Sequence, residues 1–236
     1  MEPMNFVWIL GSGSKWNNNE IRYSIRSVLK FHPNATITIV GEKPDWYNGY
    51  HYYVPDDSEC PYVNKWVKME FACTLFDEFV QMDDDFFLLE PYKKAIYYHG
   101  TMAQKYKRIN SVTLWSDVIK STLKQFPDEK NHLQHFPLPV RSKEMLRVAE
   151  IYPNRTVAPS ISLRQCYCVH VKEYPEIELQ DMKVRYGFSK SIERQISGYP
   201  FFSISDHIRS HSFRHLLEKM YPNPSIYELD NFNKLT

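Results

Sequence analysis

Apolar and polar positions alternate along this chain in blocks that a few regular elements explain. "NFVWIL" (residues 5–10) is a short run of strand formers ended by "GSGSK". Ile21, Ile25, Val28, Leu29 and His32 then recur at spacings of 4, 3, 1 and 3, one face of an amphipathic helix that stops before Pro33. Asn17, with Glu20 three residues on, has the form of a capping box for that helix. "ATITIV" (35–40) predicts a second strand and "GYHYYV" (49–54) a third. "PYVNKWVKMEFACTLFDEF" (61–79) is apolar on most sides and predicts a long buried helix, followed by a short central strand, "FVQM" (79–82). Strand, loop, helix, strand is the order of a βαβ unit. After Pro91 strand signals weaken, and helices are predicted near 115–125, 142–152, 189–197 and 210–221. The fold class is α/β: a Rossmann-type mixed sheet flanked by helices, with a more helical C-terminal half.

The chain has 236 residues, enough for one core, and is read as a single domain. Its composition is globular, at 43% hydrophobic and 24% charged, and no stretch approaches 18 apolar residues, so no membrane-spanning helix is expected. The start lacks a basic n-region, and Cys60, Cys73, Cys166 and Cys168 show no CxxC spacing. They read as reduced, buried thiols, and the protein as cytoplasmic. Charge is uneven. Residues 1–91 hold 7 Lys and Arg against 14 Asp and Glu, whereas residues 92–220 hold 21 against 12. That split suits an acidic end for a metal and a basic end facing an anion; chance clustering on a solvated surface is the plainer alternative.

The chemistry concentrates in "FVQMDDDFFLLEP" (79–91). Asp83, Asp84 and Asp85 follow a central strand, the edge of an open α/β sheet where ligands bind. Three adjacent carboxylates repel unless a cation compensates, and a hard divalent ion, Mn²⁺ or Mg²⁺, does so through oxygen ligands. Along an extended chain Asp83 and Asp85 share a face, so these two are assigned to the metal, with Asp84 nearer a sugar hydroxyl or the ion. A structural turn is the alternative. The loop after the first strand lacks P-loop spacing, but Gly11, Ser12 and Gly13 let backbone approach a ligand, and Lys15 could meet a diphosphate. Arg22 and Arg26, and the pair Lys65 and Lys68, read either as a diphosphate clamp or as solvated helix faces. His207, His211 and His215 form a stripe at intervals of four, preceded by Asp206; they offer a third metal ligand or a general base, or merely a surface stripe. "YKKAIYYHGTMAQKYKR" (92–108) interleaves Lys93, Lys94, Lys105, Lys107 and Arg108 with tyrosines, which suits a phosphate backbone and stacked bases.

Together these pieces resemble nucleotide-sugar transferases of the GT-A type. More narrowly, "NNNEIRYSIRSVLKFHPNATITIV" resembles a conserved region of the Stealth family of sugar-phosphate transferases; "QMDDDFFL", "HLQHFPLPVRSKEMLRVAEIYP" and "YPFFSISD" are similar to its later regions. The resemblance implies a GT-A-like fold and a hexosyl- or pentosyltransferase that uses a UDP-sugar. Residues 1–91 would form the donor and metal half and 92–236 the acceptor half. Carried over, it points to Asn19, Glu20, Arg22, Arg26, Asp83, Asp84, Asp85, His135, Arg141 and Asp206. The resulting assignment makes Asp83, Asp85 and His207 metal ligands and Asp84, Asp206, His135 and Arg141 catalytic. Gly11, Ser12, Gly13, Lys15, Arg22, Arg26 and Lys65 would bind the donor, and Lys105, Lys107 and Arg108 the acceptor. The acceptor is a glycan or a hydroxymethylated base in DNA, in a bacterial or phage-infected cell. Sugar-1-phosphate transfer to a capsular or cell-surface polysaccharide is the alternative, and a non-catalytic sugar- or nucleotide-binding module a third reading.

Overall fold

The computed structural model describes residues 3–12, 16, 18–109, 112–184, 192–204 and 211–229. Its main sheet has five strands in the order β3-β2-β1-β4-β7: Tyr50–Tyr52, Thr36–Gly41, Asn5–Leu10, Glu78–Met82 and Leu138–Arg141. The first four run parallel; β7 is antiparallel to β4, pairing Gln81 with Leu138 and Glu78 with Arg141. The sheet thus takes its last strand from the second half of the chain.

The period of two along β1 decides what packs on each face. Phe6, Trp8 and Leu10 join Ile21, Ile25 and Val28 of helix α1 (Asn19–Phe31). Val7 and Ile9 join Trp66, Met69 and Ala72 of helix α2 (Pro61–Leu75). Helices α3 (Met102–Lys107), α4 (Leu114–Gln125), α5 (Ser142–Ile151) and α6 (Leu163–His170) come later in the chain, and α5 packs on α2 and on α6. A smaller sheet joins β5 (Phe86–Leu88), β10 (Phe201–Ile204) and β9 (Lys183–Val184); β6 (Ile96–Tyr98) pairs with β8 (Glu176–Glu178). A 3-10 helix (Pro153–Thr156) and helices α7 (Ile192–Ile196) and α8 (His211–Met220) complete the described elements.

The α/β class, the first four strands and the helices near 115–125, 142–152 and 210–221 fall where the sequence puts them. Strands β5 to β10 are too short, at two to four residues, to print a period. Asn18, with φ of 56°, caps α1 without a side-chain hydrogen bond; Asn17 lies outside the described residues. The four cysteines are free and buried, as expected. Among the described residues no helix is long and apolar enough to cross a membrane.

The polar stripe of α1 anchors the strand that leaves the acidic triplet. Ser24 Oγ accepts from Trp8 Nε1 at 3.1 Å and donates to the Phe86 carbonyl at 2.5 Å, and Ser27 Oγ accepts from Leu88 N at 3.0 Å. These buried hydroxyls satisfy backbone groups of β5 that would otherwise be costly to bury. The turn Asp83–Asp85 is therefore held between two anchored strands.

Candidate active site

Strand β4 ends at Met82, and the triplet turns there into β5. On β4 Gln81 faces the α2 side, and Asp83 continues that face. Asp83 Oδ1 accepts from Lys65 Nζ at 2.5 Å and from Gln81 Nε2 at 2.7 Å. Gln81 is 1% exposed, and its other end accepts from Arg164 Nη2 at 3.3 Å. One buried amide thus joins a carboxylate to a guanidinium. Burial pushes the Asp83 carboxyl up, but Lys65 and Arg164 outweigh it and hold the group down at about 2. Asp85 sits differently. Its Oδ2 accepts from Lys183 Nζ at 3.3 Å and lies 4.0 Å from His135 Nδ1. Burial raises its pKa; Lys183 offsets this in part and the charge of Asp83 adds to it. Burial and the adjacent Lys183 ammonium keep the His135 imidazole well below the usual histidine range, so it is neutral at neutral pH. Its backbone N–H donates to Asp181 Oδ2 at 3.3 Å.

Asp83, Lys65, Arg164, Lys183 and His135 of this cluster border a cavity of about 340 Å³. Asp83, Lys65, His135, Arg164 and Lys183 supply its polar side, and Leu133, Ile161 and Leu163 its apolar side. Tyr62 and Trp115, stacked with centroids 5.4 Å apart, stand at its wall. One carboxylate, three cations and a neutral imidazole line it, with the Asp85 carboxylate paired to Lys183 beside them, an arrangement suited to an anionic ligand with a divalent ion or to a hydroxyl-bearing sugar.

A second polar network closes the end of β1. Lys68 is 1% exposed and donates to the Leu10 carbonyl at 2.6 Å and to Asp56 Oδ1. Asp56 Oδ2 in turn accepts from the Ser12 N–H at 2.9 Å and its hydroxyl at 3.3 Å. Burial raises the Asp56 carboxyl, but Lys68 and Ser12 outweigh it, so its pKa is lowered. A Cβ on Gly11 would lie 3.3 Å from Asp56 Oδ2, so this loop packs tightly against that carboxylate.

Of the residues assigned from sequence, Asp83, Asp85, Lys65 and His135 come together, and Asp84 lies between the first two, half-buried. Gly11 and Ser12 lie at the end of β1, next to Asp56. Gly13, Lys15, Asp206 and His207 fall outside the described residues. Three assignments need correction. Arg141 pairs with Glu78 at the start of β4, the opposite end from Asp83; five residue steps separate Glu78 from Asp83, about 17 Å of extended chain. Its N–H donates to the Tyr167 hydroxyl at 2.7 Å, and its guanidinium lies over the Tyr174 ring. Arg22 and Arg26 are neither solvated nor a diphosphate clamp. Arg26 grips the buried Glu228 carboxylate through Nε at 2.7 Å and Nη2 at 2.5 Å, while Arg22 Nε lies 3.4 Å from it and its guanidinium covers Trp46. Both arginines hold the C-terminal segment onto α1. Two of the four interleaved tyrosines also differ from expectation. Tyr92 and Tyr97 are in the core, where they cannot stack on a base, and Lys94 pairs with Glu78 at 2.8 Å. Lys105 and Arg108 line a neighbouring cavity, whereas Lys107 is exposed away from it.

Sequence reasoning missed Gln81, Arg164, Lys183 and Asp56. Only Gln81 carries a signal, a carboxamide inside an otherwise apolar strand beside the triplet. Lys183 comes from a two-residue strand and Arg164 from a short helix, and neither position is marked by pattern.

No family model matches the chain and no curated protein does, so the Stealth resemblance has no match behind it. Among solved structures the chain is similar to a glycosyltransferase involved in glycosylation of the major capsid of PBCV-1, at 11% identity over 92% of this chain and 100% of that one, with a TM-score of 0.44. It is also similar to the galactosyltransferase LgtC, in complex with donor and acceptor sugar analogs, at 6% identity over 95% and 85%, TM-score 0.43. The glycosyltransferase GlyE of Streptococcus pneumoniae TIGR4 matches at 7% identity over 74% of this chain, TM-score 0.39, and the match spans 45% of GlyE. Similarity this distant leaves the chemistry to be read from the site's own side chains.

Proposed function

We propose that this chain is a metal-dependent glycosyltransferase that uses a nucleotide-sugar donor, a UDP-sugar. The observation that carries the reading is Asp83 at the exit of a central parallel strand, facing one cavity with Lys65, Arg164 and Lys183, and Asp85 two residues on, paired with Lys183. The donor chemistry fits a hard divalent ion. Asp83 stays ionised at neutral pH, and Asp85 offers a second carboxylate two residues on. Among the described residues no group of three or more His, Cys, Asp or Glu gathers that could hold a metal. Asp83 and Asp85 would hold the ion, and Asp206 or His207 would complete the set. When bound, Mn²⁺ or Mg²⁺ neutralises charge on a diphosphate leaving group.

The chain's own residues do the rest. Lys65, Arg164 and Lys183 supply fixed positive charge where negative charge develops as the glycosidic bond to the diphosphate breaks. Gln81 keeps Asp83 and Arg164 in register. Neutral His135 accepts a hydrogen bond from the acceptor hydroxyl and orients it, with its backbone fixed by Asp181. Asp84 lies nearest the donor sugar's hydroxyls. Ser12 and Gly11 shape the loop that meets the nucleotide. On this reading residues 1–91 carry two of the metal ligands, Asp83 and Asp85, and Arg164 and Lys183 from later in the chain complete the donor site.

The test is a screen of UDP-sugars with Mn²⁺, reading free nucleotide. UDP release that stops on adding chelator and returns with Mn²⁺ or Mg²⁺ supports the proposal. UMP release means sugar-phosphate transfer instead. No nucleotide released from any donor rejects it.

A further inference from the structure

A second cavity, of about 320 Å³, adjoins the first, and the two share Trp115 and Gln134 as a common wall. Its chemistry is different. Gln104, Asn131, Gln134 and Gln180 bring four carboxamides to it; Asn131 is engaged at both ends by His99 and Leu133, and Gln104 and Gln134 accept backbone N–H groups at their oxygens, which turns the amide donors of Gln104 and Gln134, with Gln180, to vicinal sugar hydroxyls. Trp115 presents an aromatic surface at the junction, suited to the apolar C–H face of a sugar ring. Lys105 and Arg108, three apart at the end of α3, bring two positive charges to it, and among the described residues Asp181 is the carboxylate in its lining. Asp181 accepts the His135 N–H, and its own N–H donates to Gln134 Oε1 at 3.3 Å. The same short segment therefore frames the second cavity and holds the backbone that carries His135 into the first.

We propose that this second cavity is the acceptor subsite and that it takes an acidic glycan, one with a carboxylate or phosphate on the sugar unit next to the reacting hydroxyl. The proposal rests on the glycosyltransferase reading above and names its acceptor class. The reacting unit lies against Trp115 with its hydroxyl toward His135. The neighbouring unit lies among the carboxamides, with its anionic group between Lys105 and Arg108. A nucleic acid fits less well, because Tyr92 and Tyr97, two of the tyrosines that would stack its bases, are in the core.

The experiment follows tryptophan fluorescence of the full chain during titration with digalacturonic acid, lactose, maltose 6′-phosphate, inorganic phosphate and a hydroxymethylated DNA duplex. Digalacturonate or the phosphorylated sugar should bind at least tenfold more tightly than lactose, and which of the two binds better identifies the carboxylate or phosphate form. The Lys105→Gln/Arg108→Gln variant should lose about tenfold in affinity for the acidic sugar and none for lactose, the size expected of two partly exposed charge contacts. Trp115→Leu should weaken both sugars. Equal binding of neutral and acidic sugars overturns the proposal. So does duplex DNA binding more tightly than either acidic sugar, or inorganic phosphate alone matching them. UDP affinity, measured separately by calorimetry, reads the donor site: no UDP binding by the native chain fails the glycosyltransferase reading while leaving the sugar titration interpretable.

Discussion

Replacing Arg26 by Ala separates a structural role for this residue from a role at the diphosphate. Glu228 is the partner that decides the outcome. Its side chain is 2% exposed and accepts from Arg26 Nε and Nη2 and from Ser225 N at 2.8 Å, with Arg22 Nε at 3.4 Å. Arg26 Nη1 also donates to the Tyr221 carbonyl at 3.2 Å. Arg26→Ala leaves the buried carboxylate with one distant cation and one backbone donor. Breaking a buried pair from one side costs about 3–5 kcal/mol. For a domain of this size each kcal/mol moves the melting temperature by roughly 2–4 °C. The variant should therefore melt roughly 6–20 °C below the native chain, by circular dichroism at pH 7. Arg26→Met combined with Glu228→Gln removes both charges and should recover most of that loss. Nucleotide release by Arg26→Ala, assayed well below its melting temperature, should stay within about twofold of native. A fall of about 10² or more in turnover with an unchanged melting temperature would refute the structural assignment and return Arg26 to the diphosphate.

Three further outcomes can be measured at the site and beside it. Gln81→Leu removes the amide that joins Asp83 to Arg164, so kcat/KM should fall roughly 10- to 100-fold, the scale for a group that orients a ligand; steady-state kinetics at an unaltered metal concentration check it. Asp56→Asn strips a carboxylate from buried Lys68, so thermal stability at pH 7 should fall, on the order of 5–10 °C. Because the Asp56 carboxyl is lowered in the folded state, its contribution is complete above the unfolded value near pH 4 and is lost as pH falls through the folded value. The difference between variant and native melting curves should therefore shrink below about pH 4, and a constant difference from pH 7 to pH 3 would contradict the assignment. Lys183→Met should reduce turnover by about 10² while leaving UDP-independent stability intact, if its ammonium serves the reaction rather than the fold.

The parallel sheet and its helices were legible because period and length act locally. The alternation in "NFVWIL" and "ATITIV" and the apolar face of α1 each specify an element without reference to the rest of the chain. The triplet was legible because three carboxylates beside an apolar strand demand an explanation. Lys65 was legible because its helix leads into that strand. What sequence could not give was pairing across distance. Arg26 finds Glu228 some 200 residues later, and the exposed-looking arginine stripe of α1 is buried because the chain's last described segment returns over it. Lys183 reaches Asp85 through a two-residue strand, and Arg141 was misplaced because the antiparallel direction of β7 carries it to the far end of the sheet. Direction and register, not composition, decided those cases.

Asp83 and Asp85 are proposed to act directly on a nucleotide-sugar donor, and everything else at the site depends on that role. The most direct measurement compares UDP release from the preferred UDP-sugar, in Mn²⁺, by the native chain and by Asp83→Asn and Asp85→Asn, with circular dichroism on each. Each variant should lose at least about 10² in turnover and keep its fold, since each removes one hard oxygen charge from the proposed metal site. Native-level UDP release by either folded variant would contradict that role.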